Sequence, residues 1–328
     1  MTEQPDLRAL KEGEVFAGFL LAQEVAFKTS AKGSEYLELK LADASGDLKA
    51  FLWDLRAIEG DMDRIAQDAF LKVKGQVSVY NGRTQLRLDK VRFAEDHEIG
   101  DFARFFPTSR RPAAEMLAEL DGLVQSVGDP WIRRLLEVLF VENGLLRAAF
   151  AKAPAAKSLH HVYLGGLLEH TLSVAAMADR ACAHYTDMNR DLVLAGVLLH
   201  DVGKTAELTY LRSFSYSDAG NLIGHISMEA DWINRAVAEI PDFPEELRLL
   251  ILHIVLSHHG RLEYGSPVVP KTPEALLVHY LDDLDGKLEA MFRGIREDAG
   301  TGNWTPFSRS LDRMLYKPRW PSIPGETS

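Results

Sequence analysis

Seven side chains carry the chemistry of this chain: His170, His200, Asp201, His225, His258, His259 and Asp282. Ten of its eleven histidines fall between residues 160 and 279, and only His97 lies outside. Imidazole and carboxylate together suit a divalent ion such as Mn²⁺, Fe²⁺ or Zn²⁺, and no cluster of thiolates competes for it. A pair of ions held this way activates water and stabilises in-line displacement at phosphorus. Phosphoester hydrolysis is therefore the chemistry to expect.

The elements that must position these groups read as helices. His170 lies in Gly165-Gly166-Leu167-Leu168-Glu169-His170-Thr171-Leu172, where the leucines supply a core face. Alone it would read as a hydrogen-bonded core histidine. His200-Asp201 closes the apolar stretch 192–199 and runs into Val202-Gly203-Lys204. A carboxylate buried there without a partner would cost several kcal/mol, so Asp201 calls for a cation and is placed to bridge two. Lys204 offers an ammonium at the same edge, either to offset transition-state charge or as a solvated lysine at a helix end. His225 begins a helix after Gly224, and His258-His259 ends another before Gly260. On the helix that carries it, Asp282 shares a face with His279 and Asp285, while Asp283 points about 100° away.

Further helices are expected over 113–127, 131–151, 164–185, 190–200, 225–239, 244–258 and 273–293. Residues 13–95 read differently. Five stretches, 14–27, 34–42, 48–53, 70–80 and 84–93, are rich in Val, Leu, Phe and Tyr and separated by turn signals. Leu37, Leu39 and Leu41 alternate onto one face, and Asn81-Gly82 is a strong hairpin signal. The polar segment 54–68 looks helical, and five strands with a helix between the third and fourth is the layout of an OB-fold barrel. The expected fold is thus a multidomain α+β chain: a five-stranded OB barrel at 13–95, a linker at 96–112, an all-α bundle at 113–300 and an arm at 301–328. That arm, with Pro306, Pro318, Pro321 and Pro324, should be mostly irregular and packed on its own chain. Its Tyr316, Lys317, Arg319 and Trp320 give it the alternative of reaching a neighbour in a homo-oligomer.

Composition bounds the partners. The 328 residues are 46% hydrophobic and 26% charged, as in an ordinary globular protein. The one cysteine, Cys182, excludes an internal disulfide and suits a reducing cytoplasm. The first dozen residues carry acids and no apolar core, unlike a signal peptide. The longest apolar runs, such as 249–256, are too short to span a bilayer, so no membrane partner is expected. A net charge of −11 argues against gripping nucleic acid by bulk charge, so such a site must be local. OB barrels stack bases on aromatics beside a few cations, and Tyr36, Trp53, Tyr80 and Arg83 are the candidates, with Phe27, Phe51, Lys49, Lys72, Lys74 and Arg87 as further choices.

The series His…His-Asp…Asp resembles the HD-domain phosphohydrolase superfamily. Two longer runs, from His160-His161-Val162-Tyr163 to Val174 and from Ser257-His258-His259-Gly260-Arg261 to Ala275, together with the OB region, resemble the YhaM family of 3′–5′ exoribonucleases. That resemblance implies one ion on His170, His200, Asp201 and Asp282 and a second on Asp201, His225 and His258, with His259 as a further ligand or a phosphate contact. Mn²⁺ is the first expectation for the two ions, with Fe²⁺, Mg²⁺ and Zn²⁺ as alternatives. It makes Asp201, Lys204 and His259 the catalytic candidates, and His161 and Lys204 outer-sphere or substrate-facing. Arg261-Leu262-Glu263-Tyr264-Gly265 stands where cyclic-dinucleotide hydrolases of the superfamily carry Gly-Tyr-Pro. The expected function is metal-dependent 3′–5′ hydrolysis of single-stranded RNA, extending to single-stranded DNA. The rivals are a nucleotide or cyclic-nucleotide phosphohydrolase and a non-catalytic single-strand-binding factor.

Overall fold

The structure, a computed structural model, describes residues 4–80, 82–156, 161–210, 214–298 and 300–318. Expectations that fall on Asn81, His160, Arg319, Trp320, Pro321 and Pro324 lie outside the described residues. The chain divides into two compact units, Met1–Thr108 with Thr209–Ser213, and Ser109–Leu208 with Phe214–Ser328.

The first unit is a closed barrel. Its strands are β1 (Val15–Thr29), β2 (Glu35–Asp43), β3 (Gly46–Leu52), β4 (Phe70–Tyr80) and β5 (Arg83–Phe93), ordered β1-β2-β3-β5-β4. β3 and β5 pair in parallel from Lys49↔Gln85 to Phe51↔Arg87, and every other pairing is antiparallel. This is OB topology. β1 serves two neighbours, pairing with β4 through Val15–Leu21 and with β2 through Leu21–Thr29. The alternation read from sequence fills the barrel: Leu37, Leu39, Leu41, Leu52, Leu71 and Leu86 are almost fully buried. The β4–β5 turn closes between Tyr80 and Arg83, with Gly82 at φ +73°. Gly75 has another reason to be glycine, since a Cβ there would lie 2.3 Å from the Arg87 carbonyl oxygen beside a bulge.

The helix expected between β3 and β4 does not form. Two single 3-10 turns take its place, Leu55–Ala57 and Met62–Arg64, capped by the side chains of Asp54 and Asp61. Aspartates that bond the backbone two residues on compete with helix propagation, and Gly60 at φ +89° separates the turns. Nor is the expected linker bare chain. It holds helix α1 (Asp96–Ile99), closed by a Glu95/Glu98 capping box, and a 3-10 turn Phe102–Phe105 that buries Phe105.

The second unit is helical: α2 (Ala113–Ser126), α3 (Pro130–Leu136), α4 (Gly144–Phe150), α5 (Gly166–His184), α6 (Arg190–Leu199), α7 (Lys204–Glu207), α8 (Asp218–Ile223), α9 (His225–Ala238), α10 (Glu245–Ser257) and α11 (Pro273–Glu297). The single helix expected over 131–151 is broken. A π-helical turn, Glu137–Glu142, ends α3, and Asn143 leaves helical geometry to cap Leu146 at the start of α4. Asp129 caps α3 and Thr272 caps α11, each followed by a proline in the first turn. α5 packs on α6 and α11, and α10 on α6, α9 and α11, so the ligand-bearing ends converge. Residues 300–318 are largely irregular, as expected, with isolated bridges Trp304↔Tyr316 and Ser308↔Arg313 and a buried Leu315. Among the described residues no helix is long and apolar enough to cross a membrane.

Candidate metal centre

Local structure explains why each ligand-type side chain points inward. His170 lies in α5 between buried Leu168 and Leu172. α6 is buried from Leu192 to Leu199, and His200 at its C-cap and Asp201 beyond it are buried with it. Gly203 then packs against the first turn of α9, where a Cβ would lie 2.4 Å from the His225 carbonyl oxygen. His258 caps α10, and Gly260 at φ +75° turns the chain beneath the His279 ring. Asp282 comes from α11.

These residues gather into two groups whose ligand atoms lie within 4.8 Å of one another: His170, His200, Asp201 and Asp282, and then Asp201, His225, His258 and His259. Asp201 belongs to both. In the first group His170 Nε2 is 3.1 Å from Asp282 Oδ1, and His200 Nε2 is 3.4 Å from Asp201 Oδ2. In the second, Asp201 Oδ1 is 3.5 Å from His225 Nε2 and 3.6 Å from His258 Nε2.

Hydrogen bonding fixes which nitrogen faces inward. Every one of the five imidazoles has its Nδ1 against an acceptor: Asp285 for His170, Val197 O for His200, Glu207 for His225, Val255 O for His258 and Tyr264 O for His259. A proton on Nδ1 leaves Nε2 as a bare lone pair, which is how metal-ligating histidines are held. Asp201 Oδ1, His225 Nε2 and His258 Nε2 are buried and have no hydrogen-bond partner among the described residues. Three converging lone pairs without a donor would be costly in a protein interior, and a divalent cation satisfies all three at once. The donor set, imidazole nitrogens and carboxylate oxygens, fits a divalent ion.

The charges point the same way. Burial opposes ionisation of Asp201, yet Lys204 and His200 hold its pKa well below the usual carboxylate range. Asp282 is likewise depressed, against burial, by His170 and His200. Those carboxylates in turn draw protons onto the two histidines, raising His170 and raising His200 strongly although burial works against both. For His258 and His259 burial wins. His258 is lowered, and burial with the neighbouring His258 and His225 takes His259 down to about 3. His259 is therefore a neutral imidazole at physiological pH, the form that ligates.

Lys204 Nζ lies 2.7 Å from Asp201 Oδ2 with its side chain only 12% exposed, so it is not a solvated helix-end lysine. It lines a cavity of about 430 Å³ together with His259, Tyr264, Asp282, Lys287 and Arg313. His161 is buried at φ +45°, its Nε2 2.9 Å from Asp285 Oδ2, so it stands behind His170 and does not face that cavity. Asp285 accepts from His161, His170 and Ser173. Sequence reasoning gave neither Asp285 nor Glu207 a role. The i, i+3 spacing from Asp282 was the available signal for Asp285, whereas Glu207 carried none. Glu229 was also missed: it is fully buried and accepts from Gly203 N–H, and burial, with the charge of Asp201, pushes its pKa well above the usual carboxylate range.

The barrel candidates fall into two places. Tyr36 and Trp53 are in contact, ring centroids 4.7 Å apart, and Phe51 stacks on Trp53 at 5.9 Å. Tyr80 and Arg83 face each other at the end of the β4–β5 ladder, both exposed.

An OB barrel joined in one chain to a helical unit with this His…His-Asp…Asp centre defines a hydrolase of the HD class, and the HD domain family matches residues 167–287. Over 307 residues the chain is 36% identical to the 3′-5′ exoribonuclease YhaM of Bacillus subtilis (strain 168), covering 93% of this chain and 96% of that protein. The chain belongs to the YhaM family of 3′–5′ exoribonucleases. Among solved structures it is similar to the second OB-fold domain of replication protein A from Methanococcus maripaludis, at 15% identity and a TM-score of 0.23 over 29% of this chain and 97% of that one. A replication protein A heterotrimer bound to ssDNA matches at 16% identity and a TM-score of 0.22, over 30% of this chain and 75% of that one. Likeness at that level adds nothing to the strand order, on which the barrel assignment rests.

Proposed function

We propose that this chain is a 3′–5′ exoribonuclease that hydrolyses single-stranded RNA, and single-stranded DNA with it, at a two-ion centre loaded most readily with Mn²⁺. The observation that carries the reading is the set of buried, unpartnered lone pairs of Asp201, His225 and His258 beside a second complete group that shares Asp201. His170, His200, Asp201 and Asp282 hold one ion, and Asp201, His225, His258 and His259 the other. When bound, the ions supply Lewis acidity for in-line attack of water at phosphorus. The chain's own groups do the rest. Glu207 and Asp285 keep the imidazoles oriented, Lys204 faces the cavity as a fixed positive charge, and the cavity volume suits one terminal nucleotide. Burial works against the charge on Lys204, but Asp201 and Asp282 outweigh it and raise its pKa.

Residues 13–95 hold the incoming strand, with Tyr36, Trp53, Tyr80 and Arg83 as contacts. Residues 113–300 perform the chemistry, joined through 96–112 and followed by the arm at 301–328. The test is a time course on 5′-labelled single-stranded RNA with Mn²⁺. Wild type should give a ladder shortening from the 3′ end, and Asp201→Ala should give none. Intact RNA with wild type that releases phosphate from mononucleotides would sink the reading.

A further inference from the structure

The face of the barrel formed by the first half of β1, by β4 and by the second half of β5 carries an arrangement that sheets normally avoid. Lys72 on β4 is directly opposite Arg92 on β5, and Lys74 is directly opposite Lys90. Like charges in register across an antiparallel pair are destabilising, and here two such pairs are adjacent. The next strand extends the patch: Phe19 on β1 is in register with Lys72, whose Nζ lies 5.3 Å from the ring centroid. The Arg104 guanidinium approaches the same ring at 5.7 Å. Together these six side chains line an open groove of about 560 Å³.

Two of the cations are offset by carboxylates, Lys90 by Glu59 and Arg92 by Glu98, each at 2.6 Å. Lys72 and Lys74 are exposed and have no carboxylate partner among the described residues. In a chain of net charge −11, so dense a positive strip needs a reason. Its spacing supplies one. Lysines two residues apart on one strand face are about 7 Å apart, comparable with the phosphate repeat of an extended single strand. An aromatic ring among the cations offers a base somewhere to stack.

We propose that this groove binds the sugar-phosphate backbone of single-stranded RNA, with Lys72 and Lys74 on successive phosphates and Phe19 under a base. It is a separate surface from the Tyr36–Phe51–Trp53 cluster on β2 and at the end of β3. The inference rests on the single-strand reading above and adds a second surface on the barrel to the contacts named there.

The experiment uses full-length protein with the substitutions Lys72→Gln and Lys74→Gln together. Binding of a labelled oligouridylate of about twenty nucleotides is followed by fluorescence anisotropy in EDTA across a salt series. Loss of two phosphate contacts should flatten the slope of log K against log salt by about 1.4 and weaken binding about ten- to thirty-fold at 0.1 M salt. The thermal midpoint should equal or exceed that of wild type, because the repulsion is relieved, and this separates a binding role from a structural one. Affinity and slope unchanged from wild type would overturn the proposal. So would unchanged affinity with an altered sedimentation mass, which would assign the groove to an acidic protein surface. Shortening of RNA is read separately in Mn²⁺, so the groove and the nuclease reading fail independently.

Discussion

At the scale of single residues, the behaviour of the centre follows from which nitrogen of each histidine is protonated. Glu207 and Asp285 hold Nδ1 of His225 and His170, so their effect reaches the ions only through those rings. Asp285→Asn, which replaces an acceptor oxygen by an amide donor, should weaken Mn²⁺ binding about 10- to 100-fold with little change in fold. Glu207→Gln should do the same, and both can be read by metal titration followed by thermal melting. Asp201→Asn should be far worse, reducing turnover by at least about 10³-fold, since both groups lose a ligand. The protons matter too. The pKa values of His170 and His200 are raised, so both are protonated at pH values where an ordinary histidine is already neutral. An ion entering the first group must displace those protons, so its affinity should rise with pH through the neutral range. Calorimetry of Mn²⁺ binding at pH 7 in two buffers of different ionisation enthalpy should show net proton release. Uptake of no protons and release of none would contradict the assigned protonation.

At the scale of elements, the ligands depend on close approaches that only glycine permits. Gly203→Ala would drive a methyl group into the His225 carbonyl and push α9 from the turn that carries His200 and Asp201. We expect a loss of about 1–3 kcal/mol, seen as a thermal midpoint lowered by about 2–10 °C, together with loss of metal. The ligand-type residues themselves were legible in the sequence, because imidazoles and carboxylates at the ends of apolar helices are hard to explain otherwise. The barrel was legible for a similar reason: Leu37, Leu39 and Leu41 alternate cleanly, and Gly82, at positive φ, marks the β4–β5 turn. What stayed hidden was set by competition or by distance. Asp54 and Asp61 cap short turns where polarity alone suggested a helix, and Asn143 breaks a run that its apolar spacing would have continued. Glu207 and Glu229 act through partners 18 and 26 residues away, which no local pattern can reveal.

At the scale of the molecule, residues 300–318 of the C-terminal arm are part of the helical unit. Leu315 is buried beside Gly294, and Ser310, Leu311 and Arg313 form one wall of the cavity at Lys204 and Asp282. Truncation after residue 300 should leave metal content near normal but lower kcat/KM on RNA at least about tenfold, since one wall that positions substrate is gone. The cationic face of the barrel has a different consequence, one that appears at the bench before any assay. A protein of net charge −11 should bind an anion exchanger at neutral pH. With Lys72, Lys74, Lys90 and Arg92 concentrated on one face, the same protein should also be retained on heparin. Two resins of opposite sign would then hold one molecule, each by a different side of it.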